Sequence, residues 1–147
     1  MKKTVTSLII HNEKVLLLLR DNIPEIPDPN KWQAIGGHVD GDESNNEAIR
    51  REIEGETHST PSNIKYVGRF VSPDVESAFY VVRLTDEEVK KVKLGNEGQD
   101  LRFFSIEEAL RLDTSFSIKA YLHRYLDQIK RIVSGEDVSA KELDLVL

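Results

Sequence analysis

The segment GGHVDGDESNNEAIRREIEGE, running from Gly36 to Glu56, carries seven acidic residues behind a Gly-Gly pair. Glu47, Glu52, Glu54 and Glu56 fall in a stretch that also holds Arg50 and Arg51. Ser44-Asn45-Asn46-Glu47 has the form of a capping box, which predicts a helix starting after Ser44 and gives Glu47 a structural task in its first turn. At about 100° per residue, Ala48, Ile49 and Ile53 define the inward face, while Arg50 and Glu54 point away. Glu52 and Glu56, one turn apart, then sit at the edge of that apolar face. Carboxylates stacked there repel each other and lose hydration. Two arrangements relieve this. A hard divalent cation between them is one, since magnesium takes oxygen donors. A salt-bridged helix, with Arg51 and basic groups elsewhere neutralising the acids, is the other. Gly36-Gly37 suits the first, because backbone carbonyls approach a metal closely where no side chain obstructs them.

The elements that must position this helix follow from the pattern around it. TVTSLIIHNEKVLLLLRD reads as two strands around His11-Asn12-Glu13, a hairpin-like arrangement. NIPEIPDPNKW holds three of the five prolines and reads as a stiff surface loop. WQAI is a short strand ending at Gly36-Gly37. NIKYVGRFVS and ESAFYVVRLT read as strands, the first with Ile64, Tyr66 and Phe70 at period two. EVKKVKL is expected to be a short edge strand, and LRFF another. Ser105 with Glu108 caps a further helix, and Ile118, Leu122, Tyr125, Leu126, Ile129, Ile132 and Val133 stripe a second one. The last dozen residues are charged and weakly patterned. Strands, helix, strands, helices in this order give an α+β or mixed-sheet α/β fold in one domain spanning residues 1–147.

Composition bounds the function. A net charge of −6 argues against non-specific nucleic-acid binding and against an anionic membrane surface. An anionic substrate therefore needs local help from a cation or a few placed basic side chains. The absence of cysteine removes thiolate nucleophiles, disulfides and zinc-thiolate sites. The longest apolar run, Val15 to Leu19, is far too short to span a bilayer. Met1-Lys2-Lys3 and the apolar residues after it imitate a signal peptide only faintly, so a cytoplasmic protein is expected.

Gly37, five residues, Glu43, seven residues, then Arg51-Glu52-Ile53-Glu54-Gly55-Glu56 resembles the Nudix box, G-x5-E-x7-R-E-U-x-E-E-x-G-U with U aliphatic. The resemblance implies the Nudix α/β/α sandwich with a mixed β-sheet. It implies hydrolysis of a nucleoside diphosphate linked to some other moiety X, with Mg2+, or Mn2+, as cofactor. Carried over by position, Glu52 is a metal ligand or the general base, Glu56 a metal ligand, and the Gly37 carbonyl part of the metal's shell. Arg51 orients Glu52, and Glu43 braces the loop. In NEGQD, Glu97 matches a glutamate that MutT-like members carry in this loop, reaching the metals; a polar-loop glutamate is the other reading. Arg20, Lys31 and Trp32, near the proline loop, are the substrate-side candidates, with Phe70, Phe79 and Tyr80 as further aromatics that either stack on a base or fill the core. The expected partner is a nucleotide-derived small molecule, with no nucleic acid and no membrane, and the resemblance leaves room for a homodimer.

The sequence also departs from the pattern. Gly55 replaces the first glutamate of the final pair, and His58 and Ser59 replace the glycine and aliphatic residue that end the box. A mid-helix glycine costs roughly 0.5 to 1 kcal/mol relative to alanine, so local stability does not explain it. His58 is expected to end the helix rather than to bind metal. Beside the hydrolase stand two other readings, a nucleotide-binding Nudix domain without turnover and a structural interaction module.

Overall fold

The computed structural model describes residues 1–147. Strand β1 (Lys2–His11) turns at Asn12-Glu13 into β2 (Lys14–Leu19), with φ of 52° and 59° at the two turn residues, the left-handed pair that a tight hairpin turn demands. β3 (Trp32–Gln33) and β4 (Ile35–His38) follow the proline loop, and α1 (Asn45–Thr57) follows β4. Then come β5 (Ile64–Val71), β6 (Val75–Arg83), α2 (Asp86–Val89), β7 (Asp100–Phe104), α3 (Ile106–Ala109), α4 (Phe116–Arg124) and α5 (Leu126–Val133).

The strands form one mixed sheet of seven. Its main path runs β3-β2-β1-β6-β5, with β4 also on β1 and β7 also on β2. The long β1 makes this possible. One edge pairs in parallel with β6 from Lys2 to Ile10, while the other gives Thr4–Ser7 to β4 and Ile10–His11 to β2. Because helices cover both faces, the central strands are apolar on both sides. Val5, Ile9, Leu16, Leu18, Ala78, Tyr80 and Val82 meet Ala48, Ile49 and Ile53 of α1. Ile10, Val15, Leu17 and Val81 meet α3, α4, α5 and the chain's last residues on the other face. Ile49 and Ile53 are fully buried, each worth about 1.5–3 kcal/mol of burial, and they fix the rotation of α1 about its axis. No helix is long and apolar enough to cross a membrane.

Five sequence expectations change. WQAI, read as one strand ending at Gly36-Gly37, is two: β3 on β2, and β4 on β1, which runs through the glycines to His38. EVKKVKL is no strand: Thr85 caps the short helix α2 through a box with Glu88, and Val89 and Val92 reach the core from helix and turn. The period-two pattern of Ile64, Tyr66 and Phe70 is broken by a bulge between Tyr66 and Gly68, which leaves Phe70 paired with Ser77 and 44% exposed. The apolar stripe from Ile118 to Val133 is two helices, parted at Tyr125, whose φ of −116° and ψ of 32° are not helical. The weakly patterned last residues bury Val138, Ala140, Leu143 and Leu145 in the core, and Val146 exchanges backbone hydrogen bonds with Arg69 on β5.

Candidate functional site

Helix α1 begins as its sequence dictates. Ser44 Oγ accepts from the Glu47 amide at 3.1 Å, and the Glu47 carboxylate accepts from the Ser44 amide at 3.0 Å. The helix ends at His58, which adopts a left-handed φ of 59° while its amide donates to Glu54 O. Between these caps, the burial of Ile49 and Ile53 leaves Glu52 and Glu56 against the sheet and Arg50 and Glu54 in solvent.

Arg51 ties the cluster together. Its Nε donates to Glu43 Oε2 at 2.7 Å, its Nη1 to Glu52 Oε1 at 2.8 Å, and its Nη2 to Glu43 Oε1 at 2.9 Å and to the His38 carbonyl at 3.0 Å. Glu43 also accepts from the Asp40 amide at 3.0 Å, so it joins the loop after β4 to the helix. The Arg51 hydrogen bonds hold the Glu43 carboxyl down at about 2. Glu52 rests on Gly37. A Cβ at that glycine would lie 2.6 Å from Glu52 Oε1 and 2.7 Å from its carboxyl carbon. Gly36 is closed as well, because a Cβ there would meet Val5 O at 2.1 Å. Backbone thus bars any side chain at Gly36, while a side chain at Gly37 would displace the Glu52 carboxylate from its place on β4.

Glu56, one turn on, is 9% exposed, and its Oε2 is buried with no hydrogen-bond partner. Burial, then the charges of Glu52 and Glu97, pushes its pKa up to about 8, with the Gly36 amide pulling the other way. A buried carboxylate with an orphaned oxygen is costly unless something positive meets it. Two carboxylates and a glycine cradle offer oxygen donors of the kind a hard divalent cation takes. No three His, Asp or Glu side chains close into a cage of their own. Gly55 directly precedes Glu56 in the last turn of α1. A Cβ there would meet nothing within 4 Å, and the helix surface around it, with Arg51, Glu54, His58 and Asn96, borders an open depression.

A family model for the NUDIX domain matches residues 1–125. The chain belongs to the Nudix family. No curated protein matches it by sequence. Among solved structures it is similar to the MutT protein from Methanosarcina mazei Go1, at 26% identity and a TM-score of 0.61 over 88% of this chain and 95% of that one. A Nudix hydrolase from Nitrosomonas europaea superposes with a TM-score of 0.71 at 21% identity, over 94% of this chain and 75% of that one. The NUDIX domain of Shewanella oneidensis NrtR, complexed with ADP ribose, has a TM-score of 0.68 at 18% identity, over 86% and 87%. The last two likenesses bear on the fold alone.

Within this Nudix fold, the sequence-selected residues divide. Gly37, Glu43, Arg51, Glu52 and Glu56 are drawn together by the contacts above, and the charge of Glu97 reaches Glu56 from the loop before β7. Arg20 continues the β2 alternation on the α1 side; its Nη1 donates to Gln33 Oε1 at 2.6 Å, while its Nε is buried without a partner. Lys31 is paired with Asp113 at 2.8 Å. The Trp32 ring packs edge-on against Phe104 at 4.8 Å, with the core cluster on the opposite face of the sheet. Tyr80 is core, its hydroxyl donating to Asn46 Oδ1 at 2.8 Å, and Phe79 packs against the opposite face. Asp40 and the His38 carbonyl, both Arg51 partners, had no signal in the sequence.

Proposed function

We propose that residues 1–147 act as one Nudix domain that hydrolyses, with a divalent metal, the diphosphate linkage of a nucleoside diphosphate joined to a moiety X. The observation that carries this reading is the buried, unpartnered Glu56 Oε2 one turn from the Glu52 carboxylate on Gly37. Glu52, Glu56, Glu97 and the Gly37 carbonyl would hold magnesium, or manganese. When bound, the ion supplies positive charge that neutralises the diphosphate and promotes ionisation of water. Arg51 fixes the rotamer of Glu52, and Glu43 fixes Arg51. Glu52 or Glu97 accepts a proton from the water that attacks phosphorus in line, and a phosphate ester departs. Arg20 is the substrate-side residue best supported, since its Nε lacks a partner on the α1 side of the sheet. Lys31 and Trp32 have weaker support, being engaged with Asp113 and Phe104.

Gly55 favours a second reading, in which the domain binds nucleotide without turning it over, because it withdraws a carboxylate from the cluster. A panel of ADP-ribose and nucleotide sugars, dinucleoside polyphosphates, NADH and modified dNTPs, followed by 31P NMR with and without magnesium, separates the two. Magnesium-dependent conversion of a diphosphate resonance into phosphomonoesters is the expected result. Saturable binding without conversion across the panel supports the second reading.

A further inference from the structure

Glu97 sits in a loop whose two ends are fixed by unrelated parts of the molecule. At one end, the amides of Lys93, Gly95 and Asn96 donate to the carbonyls of Thr57, Glu56 and Gly55 at 3.1, 3.1 and 3.3 Å. These are last-turn carbonyls of α1, which the helix itself cannot satisfy. The approach is so close that a Cβ on Gly95 would lie 1.9 Å from Gly55 O. That contact is with backbone, so no rotamer relieves it. At the other end, Gly98 has a φ of 93°, and a Cβ there would meet Leu18 Cδ1 at 2.6 Å. The Gln99 amide donates to Leu19 O at 2.8 Å, and its side-chain Nε2 donates to Arg20 O at 2.8 Å and to Asn30 Oδ1 at 2.9 Å. Glu97 is therefore suspended between the end of α1, which carries Glu56, and the end of β2 with the proline loop.

We propose that Lys93–Gln99 is a strap that positions Glu97 against the α1 carboxylates, with Gly95 the positioning residue at its α1 end and Gln99 at its β2 end. The proposal rests on the reading that Glu97 joins Glu52 and Glu56 in holding a divalent cation. It adds that the carboxylate's place is set by two residues that touch neither metal nor substrate. Any side chain at position 95 pushes the strap off the helix end and carries Glu97 with it. Loss of the Gln99 side-chain carboxamide removes its bonds to Arg20 O and Asn30 Oδ1 and loosens the opposite end, leaving the backbone bond to Leu19 O.

The test is Mn2+ binding without substrate, read from the EPR signal of the free ion, in the wild type, Gly95→Ala, Gln99→Ala, Glu97→Gln and the two double variants with Glu97→Gln. Supporting groups around metal ligands are worth roughly 10- to 100-fold in affinity, so Gly95→Ala and Gln99→Ala are each expected to weaken binding about tenfold. Each double variant should bind no more weakly than Glu97→Gln alone, because the strap acts through Glu97. Circular dichroism reports whether each variant is folded. If Gly95→Ala does not fold, Gln99→Ala, at an exposed position, decides the matter. Wild-type affinity in the folded strap variants, or losses that add fully to that of Glu97→Gln, overturns the proposal. So does a Glu97→Gln variant that binds as the wild type does, which leaves the Glu52 and Glu56 reading standing. A wild-type protein that takes up no Mn2+ overturns that reading and the strap with it.

Discussion

Glu56 is the residue whose environment departs furthest from that of a surface carboxylate. Its folded pKa of about 8 stands above the ordinary 4.5, so between those values the folded protein keeps a proton that the unfolded chain has released. Stability from this group is fully present below pH 4.5 and is lost as pH rises toward 8, with a slope of at most about 1.4 kcal/mol per pH unit. Glu43 and Glu142, each held at about 2, lose their contribution only below pH 4.5, outside that window. The metal-free protein is therefore expected to melt at progressively lower temperature from pH 5 to pH 8. Glu56→Gln should flatten that trend, and millimolar magnesium should oppose it by binding the charged, folded form. Melting curves at several pH values check this, and a flat wild-type profile contradicts it. Gly55 offers a second test. Its Cβ position is open, so Gly55→Glu meets no steric barrier and recovers roughly half a kcal/mol or more of helix propensity. The variant is expected to tighten Mn2+ binding and to speed diphosphate hydrolysis; equal affinity and equal rate would mean that position 55 takes no part in the site.

At the scale of elements, legibility followed local signals. The β1–β2 turn, the Ser44 and Ser105 caps and the apolar face of α1 all announce themselves within a few residues, and each is in the structure. Thr85-Asp86-Glu87-Glu88 announces a helix equally well, but the two-residue spacing of Val92 and Leu94 imitates a strand and hides it. The remaining elements depend on distant partners. Gly68 sits in a bulge whose Cβ space is filled by Ala140 and Leu145, so neither the bulge nor the burial of the last residues is visible in either segment alone. The break at Tyr125 carries no proline or glycine; there the hydroxyl donates to Asp144 Oδ2 at 2.9 Å, across 19 residues. These elements build the core face away from α1. Ile132→Ala, at a fully buried α5 position, is accordingly expected to cost about 2–5 kcal/mol in denaturant unfolding. Mn2+ affinity of the folded protein should stay within twofold of wild type, and a large loss would tie the far core to the site.

Across the whole molecule, one mixed sheet separates two apolar clusters, and the carboxylates gather where α1 meets β4 and the loop before β7. The sequence revealed the acidic members of that gathering because their spacing along one helix, and the glycines before it, are local. It did not reveal what holds them: the His38 carbonyl and Asp40 meet Arg51 only through the fold of the loop between β4 and α1, and the strap amides reach the end of α1 from a segment far along the chain. On the reading proposed above, turnover depends on Glu52, whose carboxylate accepts from Arg51 and rests on Gly37. The most direct measurement is kcat for magnesium-dependent diphosphate hydrolysis in the wild type and in Glu52→Gln, with melting temperature recorded on the same samples. Glutamine keeps the shape and removes the charge, so kcat is expected to fall at least about a hundredfold while the melting temperature holds or rises. A Glu52→Gln variant that turns over at the wild-type rate would contradict the assignment.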